Sequence, residues 1–490
     1  MSAEWIAAAV FLTMAAGFAA LALRFRSASA RELYFLLPVC ATSLLLAALI
    51  RNRPAGTLTL LHLTGEFALA LRMDGLSCVF CGLLAFLWPL ATLYAFEYME
   101  HEHAQKRFFA LYTVSYGVCV GIASSANLIT LYFFYELLTC ATIPLVAHEM
   151  DRKAIFAGRK YMIYSFGGAT LALVGILILY RYGGGDLGFV YGGHLSSGSG
   201  NREKLLLGWF FTFLGFGVKA AVFPLHGWLP TAGVAPTPVT ALLHAVAVVK
   251  AGVFASVRST FFAFGPAFLQ NSWAQDAAML LTVCTILFGS SMALREQHIK
   301  RRLAYSTVSN LSYILFGMTL LTAQGLAAAL SHMLFHGIMK ITLFFCAGTV
   351  ICKTGREYVD ELEGFGRRMP VTFMAFTVGA MGLTGIPLLP GFLSKLALLA
   401  AAFRLDSAPA LAGAVALVIS ALLTAAYLFT VVLRAFFPCG DFRPETLSDV
   451  RDPGWRMKLP YFVLCAAMLC LGCFSGPLLA VLQEIAGGAF

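Results

Sequence analysis

The chain has 490 residues, of which 60% are hydrophobic and only 12% are charged, and its mean hydropathy is +0.82. About a quarter of the residues in a soluble globular domain are charged, so this composition excludes an ordinary soluble protein. The formal net charge is +10, but no basic tract is interleaved with aromatic residues in the way that favours nucleic-acid binding. We therefore expect a membrane protein that contacts lipids and does not bind nucleic acid.

The apolar residues fall in runs of about 18 to 25, the length at which an α-helix crosses a hydrocarbon core about 30 Å thick. Alternation over short segments, which is typical of membrane barrels, is missing. The first run lacks the basic start and the cleavage site of a removable signal peptide, so we count it as a span. The sequence thus predicts an all-α membrane protein with about fourteen transmembrane helices, at 4–23, 32–50, 75–96, 108–125, 127–147, 160–181, 205–225, 231–257, 277–294, 303–322, 325–352, 370–403, 409–436 and 459–482.

Basic residues are distributed unevenly over the predicted loops. Of the 34 Lys and Arg residues, 22 fall in loops on one side of the membrane, Arg443 among them, and 8 fall on the other side, Arg258 among them. Cytoplasmic loops carry such an excess. This asymmetry explains the net charge and predicts that both termini lie on the outer face.

The four remaining lysines lie inside predicted spans, at Lys219, Lys250, Lys340 and Lys395. A charge in mid-membrane costs about 2.5–3.5 kcal/mol on insertion scales, so each lysine is a candidate functional group. Glu136 is the only acid well inside a span and therefore the natural partner for one of them. For Lys395 an alternative stays open, in which the side chain extends to the membrane interface.

Two spans contain helix breakers beside these lysines. The candidate breaks are Pro224, Pro230, Pro387 and Pro390. A proline removes an intrahelical hydrogen bond, which a membrane tolerates only where protein or a water-filled cavity satisfies the freed carbonyl. Broken seventh and twelfth spans next to buried charge indicate an ion path, and their correspondence suggests two inverted five-helix repeats, spans four to eight and nine to thirteen.

His332, His336 and Lys340 are spaced four residues apart in SHMLFHGIMKITLFF, so they line one stripe of a helix. Neutral histidines can pass protons, and a desolvated lysine can store one. Histidines at this spacing also bind metals, but no carboxylate accompanies them and Lys340 would repel a cation. With no Gly-rich phosphate loop and no clustered cysteine ligands, we predict no catalytic, cofactor or metal site within this chain.

Four stretches carry a family resemblance: FPLHGWLPTAGVAPTPVTALLHAVAVVKAGVF (223–254), KRRLAYSTVSNLSYILFG (300–317), HMLFHGIMKITLFFCAGTVI (332–351) and GRRMPVTFMAFTVGAMGLTGIPLLPGFLSK (366–395). They resemble the antiporter-like subunits of respiratory complex I, of membrane-bound hydrogenases and of Mrp-type Na⁺/H⁺ antiporters. MDGLS (73–77) and RFFALYTVSYG (107–117) extend the resemblance from about residue 70 to 440.

The resemblance implies a division of the chain and a role for each buried polar residue. Helices one to three would occupy 1–105, two half-channel bundles 106–258 and 277–437, and a last helix 438–490. Glu136 and Lys219 resemble the pair that modulates proton uptake, and Lys250 the connecting lysine. The other assignments that the resemblance implies are a relay at His332, His336 and Lys340, and exchange with the far side at Lys395.

His244 is similar to a histidine that some members of the family carry on helix eight. The alternative is a core histidine bonded to a backbone carbonyl. The relay and Lys395 resemble the longest of the complex I subunits, whereas the chain length resembles the middle one, which carries a glutamate on helix twelve. The identity of the parent complex therefore stays open.

The function implied is that of a proton-translocating, non-catalytic subunit in a redox-driven complex of the NADH-quinone oxidoreductase or membrane-bound hydrogenase type. Fe–S clusters, flavin, NiFe or quinone are expected only in partner subunits. The expected partners are other integral membrane subunits and a peripheral cytoplasmic redox arm, in a bacterial or archaeal cytoplasmic membrane. The alternatives are a component of an Mrp-type Na⁺/H⁺ antiporter, a free-standing transporter and a structural scaffold.

Overall fold

A computed structural model describes residues 2–64, 67–196, 200–438, 447 and 450–488; Arg443 lies outside these residues. The described chain is almost entirely helical. Its first ten helices are α1 Glu4–Ala22, α2 Ala28–Asn52, α3 Gly75–Tyr98, α4 Gln105–Ala123, α5 Leu128–Val146, α6 Arg152–Tyr182, α7 Arg202–Lys219, α8 Trp228–Thr231, α9 Thr237–Ala245 and α10 Val248–Arg258. They are followed by α11 Pro266–Leu269, α12 Trp273–Arg295, α13 Ile299–Thr319, α14 Ala323–Thr354, α15 Phe365–Arg368, α16 Pro370–Thr384, α17 Pro390–Phe403, α18 Ala408–Phe436, α19 Trp455–Cys473 and α20 Gly476–Ala486.

The helices account for every predicted span. Among the described residues, ten helical segments are long and apolar enough to cross a membrane. The four other predicted spans fall on α4, α7, α13 and the pair α16 and α17. The all-helical, multi-pass membrane architecture is confirmed, whereas the count of fourteen spans and the division into two bundles stay predictions.

Polar side chains begin many of these helices. Asn127 accepts a hydrogen bond from the Thr130 backbone N–H at 2.7 Å at the start of α5, and Asp151 accepts one from Ala154 at 2.6 Å at the start of α6. Such caps satisfy backbone N–H groups that the first helical turn leaves free. At the C-terminal end of α14, Gly355 has φ +68°, a left-handed conformation that glycine adopts without steric cost.

A short hairpin interrupts the helices and was not predicted. Strands β1 Leu58–Thr64 and β2 Phe67–Leu71 pair antiparallel between α2 and α3. Its second strand is fastened to the start of α5, because the backbone N–H of Ala70 donates to the Thr130 hydroxyl at 2.9 Å. The hairpin thus leads the chain into α3 from a fixed position.

Helix α14 lies at the centre of the molecule. It packs against α13, α16, α17, α9, α3, α19 and α20. Within its most apolar window 89% of the residues are buried, whereas the corresponding figure is 33% for α1 and 28% for α19. The stripe predicted on α14 therefore lies in the protein interior, whereas α1 and α19 lie at the periphery.

The predicted breaks in the seventh and twelfth spans are confirmed. Helix α7 ends at Lys219, and a non-helical segment carrying Pro224 leads to the single turn α8, which contains Pro230. Helix α16 ends before Gly385, whose φ is +96°, and Pro390 begins α17 after a segment that contains Pro387.

The eighth span is also broken, although it contains no proline or glycine at the break. It was predicted as one helix over 231–257, but α9 and α10 are separate. The N–H groups of Val246 and Ala247 both donate to the Leu242 carbonyl, at 3.0 and 2.8 Å, so the chain makes a wide turn there. A π-helical segment, Ser259–Phe264, then continues α10 beyond its predicted end.

Candidate ion-translocation site

Lys219 lies at the last residue of α7, where the helix breaks. Its side chain is completely buried, and its Nζ donates to the backbone carbonyl of Tyr135 on α5 at 2.5 Å. The same ammonium group lies 3.4 Å from the centroid of the Tyr135 ring. A carbonyl dipole and an aromatic face therefore solvate this lysine in the interior.

Glu136 is the next residue along α5 and is half-buried. Its Oε1 atom is buried and has no hydrogen-bond partner among the described residues. No ion pair joins Glu136 to Lys219 in this part of the chain, so their predicted partnership is not a direct contact in this structure. Lys219 bonds the carbonyl of Tyr135, the residue before Glu136, so the two charged groups are neighbours but form no ion pair.

Lys250 on α10 contacts the histidine stripe of α14. Its Nζ lies 2.8 Å from Nδ1 of His336, and both side chains are completely buried. The imidazole nitrogen accepts the hydrogen bond when the lysine is charged, because a protonated ammonium has no acceptor. The structure thus brings together two residues separated by 86 positions in the chain.

His332 connects the stripe to the broken twelfth span. The ring centroids of His332 and His336 are 6.0 Å apart, and Nδ1 of His332 lies 2.9 Å from the hydroxyl of Ser394 on α17. The residue after Ser394 is Lys395, whose Nζ donates to the carbonyls of Leu383 and Thr384 at 2.7 and 3.0 Å.

Those two carbonyls belong to the last turn of α16, which has no following turn to bond them. A helix C-terminus attracts a cation, so the break in the span provides the binding position for the ammonium of Lys395. Lys395 is 7% exposed and turns into the protein, which excludes the alternative of extension to the membrane interface. We call Lys250, His336, His332, Ser394 and Lys395 the polar series.

Lys340 lies one turn beyond His336 on α14 but bonds in a different direction. Its Nζ donates to the Leu303 carbonyl at 3.0 Å and to the Ser306 hydroxyl, both on α13. Lys340 is completely buried. The predicted stripe is therefore correct in position, but its lysine branches away from the two histidines toward α13.

His244, near the end of α9, is completely buried and stacks on Phe344 of α14 with 4.8 Å between ring centroids. Neither of its ring nitrogens has a hydrogen-bond partner among the described residues. Of the alternative interpretation, a core histidine bonded to a backbone carbonyl, the burial is seen and the carbonyl bond is not seen among the described residues.

Sequence reasoning missed a buried hydroxyl cluster beside the polar series. The Ser420 hydroxyl on α18 lies 2.5 Å from that of Ser290 and 3.0 Å from that of Ser309, and it accepts a hydrogen bond from Tyr313 at 2.7 Å. The Tyr313 ring lies 5.2 Å from the His332 ring and 5.4 Å from Nζ of Lys395. Single serines in apolar helices carry no signal in the sequence, so packing alone reveals the cluster.

Arg258 is not the outer-loop cation that the sequence predicted. It ends α10 with its side chain completely buried, and its guanidinium donates to both carboxylate oxygens of Asp74 at 2.6 Å. Burial alone would raise the pKa of Asp74, but the charge and hydrogen bonds of Arg258, with smaller contributions from the Ser77 backbone N–H and from Arg72, lower this pKa to about 2. This ion pair fastens the start of α3 to the end of the broken eighth span.

The family model described as "NADH:quinone oxidoreductase/Mrp antiporter, TM" matches residues 125–431, which include every lysine and histidine of the site. A second model, for the N-terminus of complex I chain 5, matches residues 63–109. The chain belongs to the NADH:quinone oxidoreductase/Mrp antiporter transmembrane family. The resemblance seen in the sequence is thereby confirmed.

Members of this family with curated sequences include components of both respiratory complexes and antiporters. NADH-quinone oxidoreductase subunit N of Desulforudis audaxviator is 32% identical over 84% of this chain and 83% of its own length. A component of a probable K⁺/H⁺ antiporter of Rhizobium meliloti is 33% identical over 82% of this chain, and a component of a Na⁺/H⁺ antiporter of Alkalihalophilus pseudofirmus is 31% identical over 84%. The chain spans only 40% and 53% of those two antiporter proteins.

Solved structures share the fold over nearly the whole chain. A chain of the membrane-bound sulfane sulfur reductase, an archaeal respiratory membrane complex, matches with a TM-score of 0.86 at 22% identity, covering 99% of this chain and 97% of that one. A chain of the Mrp complex from Dietzia sp. DQ12-45-1b matches with a TM-score of 0.83 at 20% identity, covering 98% and 97%. At these identities the likeness establishes the shared fold.

Proposed function

We propose that this chain translocates protons through the membrane as one subunit of a complex I-like, redox-driven complex. The observation that carries the proposal is the polar series, which joins the broken eighth span, the central helix α14 and the broken twelfth span by short contacts. Except for Lys395, which is 7% exposed, its members are completely buried. Such groups are expensive in a membrane protein and mark ion paths.

A proton would move along this series by short transfers. Lys250 would pass a proton to Nδ1 of His336 across 2.8 Å, a distance within hydrogen-bond reach. The 6.0 Å between the rings of His336 and His332 would be crossed by ring rotation or a bridging water. Ser394 would then relay the proton from His332 toward Lys395, which would exchange it with the outside.

The first half of the path would centre on Glu136 and Lys219. Because the two make no direct ion pair, a charge arriving nearby would change which of them holds a proton. Close packing of α10 on α7 supports coupling between Lys219 and Lys250. Gly252 on α10 lies against the backbone of Lys219, and a Cβ at this glycine would approach the carbonyl carbon of Lys219 to 2.9 Å. His244 and Lys340 would extend the path on either side of α14.

In this proposal the chain carries out no redox reaction of its own. Energy would come from other integral membrane subunits and from a peripheral redox arm on the cytoplasmic side, which would carry any Fe–S cluster, flavin, NiFe centre or quinone. The chain would lie in a cytoplasmic membrane of a bacterium or archaeon, and the excess of basic residues in the loops on one side supports a placement of both termini outside.

The test is proton pumping by the intact complex, purified from its native membrane and reconstituted in liposomes with a pH-sensitive dye. Lys250→Met keeps most of the side-chain volume but removes the proton carrier, and we expect donor-driven acidification to fall at least about tenfold. Lys204→Met, at an exposed lysine on α7, is the matched control. Unchanged pumping by Lys250→Met would reduce the chain to a scaffold and refute the proposal.

A second candidate function is that of a component of an Mrp-type Na⁺/H⁺ antiporter, favoured by the similarity to two antiporter proteins at 31% and 33% identity. The same liposomes separate the candidates. A pH gradient that requires an electron donor supports the redox-driven complex, whereas one that requires sodium and no donor supports antiport. Full activity of the isolated chain would indicate a free-standing transporter instead.

A further inference from the structure

Two loops at the same end of the molecule bring together two histidines and a glutamate that the proposed function does not use. His103 lies between α3 and α4, whereas His148 and Glu149 lie between α5 and α6. One nitrogen or oxygen from each of these three side chains lies within 4.8 Å of the others. The Nδ1 atom of His103 is 3.8 Å from Oε2 of Glu149.

The two imidazole rings hold each other in a defined orientation. Nε2 of His103 lies 3.2 Å from the carbonyl oxygen of His148, and Nε2 of His148 lies 3.1 Å from the carbonyl oxygen of His103. A carbonyl oxygen only accepts, so each Nε2 carries the proton. In the neutral rings, each Nδ1 is therefore left with a lone pair. The bond between an imidazole N–H and a backbone carbonyl is the arrangement that orients histidine ligands in metal sites.

The Nδ1 lone pair of His148 accepts no hydrogen bond from the described residues. The side chain is completely buried, and its Nδ1 has no hydrogen-bond partner among the described residues. A buried polar atom without a partner costs free energy, which a ligand supplying that partner would recover. The side chains of His103 and Glu149 are 51% and 36% exposed, so these two members of the cluster face solvent.

The geometry points to a binding site for a divalent transition-metal ion, such as Zn²⁺, formed by His103, His148 and Glu149. Two neutral imidazoles and a carboxylate are a ligand set that Zn²⁺ accepts, with a fourth position left for water. Zn–N bonds of about 2.0–2.1 Å place tetrahedral ligands roughly 3.4 Å apart, so the cluster must contract. Glu149, which is exposed, and His103, which would give up its bond to the His148 carbonyl, would supply that movement, while His148 stays fixed.

One neighbouring cation opposes the site. Arg107 donates to the His148 carbonyl at 2.9 Å, and its positive charge disfavours a second cation nearby. The carboxylate of Glu149 offsets that charge. The alternative role for the cluster is a purely structural clasp between the two loops, which needs the two Nε2 bonds but neither Nδ1 lone pair nor Glu149.

The experiment is a Zn²⁺ titration of the full chain in lipid nanodiscs by isothermal calorimetry, with free zinc set by a competing chelator. We expect one ion per chain. Glu149→Gln and His103→Gln should each weaken binding at least about tenfold, because each removes a ligand while keeping a polar side chain. His101→Gln, at an exposed histidine two residues away, is the matched control and should bind as the unmodified chain does.

A second measurement, the unfolding temperature, distinguishes a variant that has lost a ligand from one that folds poorly. Zn²⁺ that binds the folded chain should raise its unfolding temperature with a saturable dependence on free zinc. In Glu149→Gln that rise should need at least about tenfold more free zinc, although the zinc-free variant unfolds at the same temperature as the unmodified chain. Absence of stoichiometric binding, or equal binding by both ligand variants and the control, would overturn the site and leave the structural clasp.

Discussion

Replacing Asp74 with Asn tests the buried ion pair that closes one end of the eighth span. Asn can cap the N-terminus of α3 as Asp does, so the substitution keeps the cap but removes the charge and one of the two oxygens that accept from Arg258. Arg258 would then keep a positive charge in a fully buried position with no carboxylate opposite it. Breaking a buried pair in this way costs about 3–5 kcal/mol, and we expect a loss of about 3 kcal/mol because the Asn carbonyl still accepts one hydrogen bond.

The pH dependence of stability tests the ionised state of Asp74 in a second way. The pKa of Asp74 is lowered from 3.8 to about 2, where burial alone would raise it. A difference of this size corresponds to about 2 kcal/mol at 1.36 kcal/mol per pKa unit. Since the folded pKa is the lower one, this stability is fully present above about pH 4 and is lost as the pH falls toward 2.

The assay is denaturant unfolding in mixed micelles, followed by tryptophan fluorescence, for the unmodified chain and three variants. Asp74→Asn, Arg258→Met and the double variant form a thermodynamic cycle. We expect the double variant to be more stable than Asp74→Asn alone, because it no longer buries an unpaired charge. A loss below about 1 kcal/mol in Asp74→Asn, or strict additivity in the cycle, would refute the reasoning.

Three further predictions concern the ion path. Gly252→Ala should destabilise the packing of α10 on α7 by about 1–3 kcal/mol in the same unfolding assay, because the new methyl group would lie 2.6 Å from the Ala220 backbone nitrogen. Ser394→Ala should slow donor-driven pumping in liposomes, and Ser394→Thr should restore it, since only the hydroxyl bonds His332. Glu136→Gln should impair pumping while the complex still assembles on gel filtration; an unaltered proton-to-electron ratio would exclude its modulating role.

Hydropathy and charge were sufficient to predict the apolar helices and the buried lysines, because both depend on local composition. Contacts between distant spans depend on packing and carry no such signal. The bond between Lys250 and His336 joins spans eight and eleven, and nothing in either segment specifies the other as its partner. The break at Val246 was missed for a related reason, since it contains neither proline nor glycine.

Arg258 shows how a one-residue error in a boundary changes the meaning of a side chain. The predicted span ended at 257, which placed the arginine in an outer loop. The structure continues the helix through Arg258 and adds the buried π-helical segment Ser259–Phe264. The mostly apolar run STFFAF before Gly265 indicates that the helix continues, but the charge of Arg258 just before this run favoured an end of the span at 257.

Three of the four buried lysines of the site share a kind of partner that bears on how they would work, whereas Lys250 bonds His336. Lys219, Lys340 and Lys395 all donate to backbone carbonyls, and none has a carboxylate in hydrogen-bond contact among the described residues. A carboxylate would stabilise the ammonium strongly and hold its proton. Carbonyl dipoles solvate the charged form without adding a net charge, so a neighbouring charge can decide whether each lysine keeps its proton. In the proposed function, the helix break that leaves the last carbonyls of α16 free for Lys395 would therefore be part of the ion path as well as a feature of the fold.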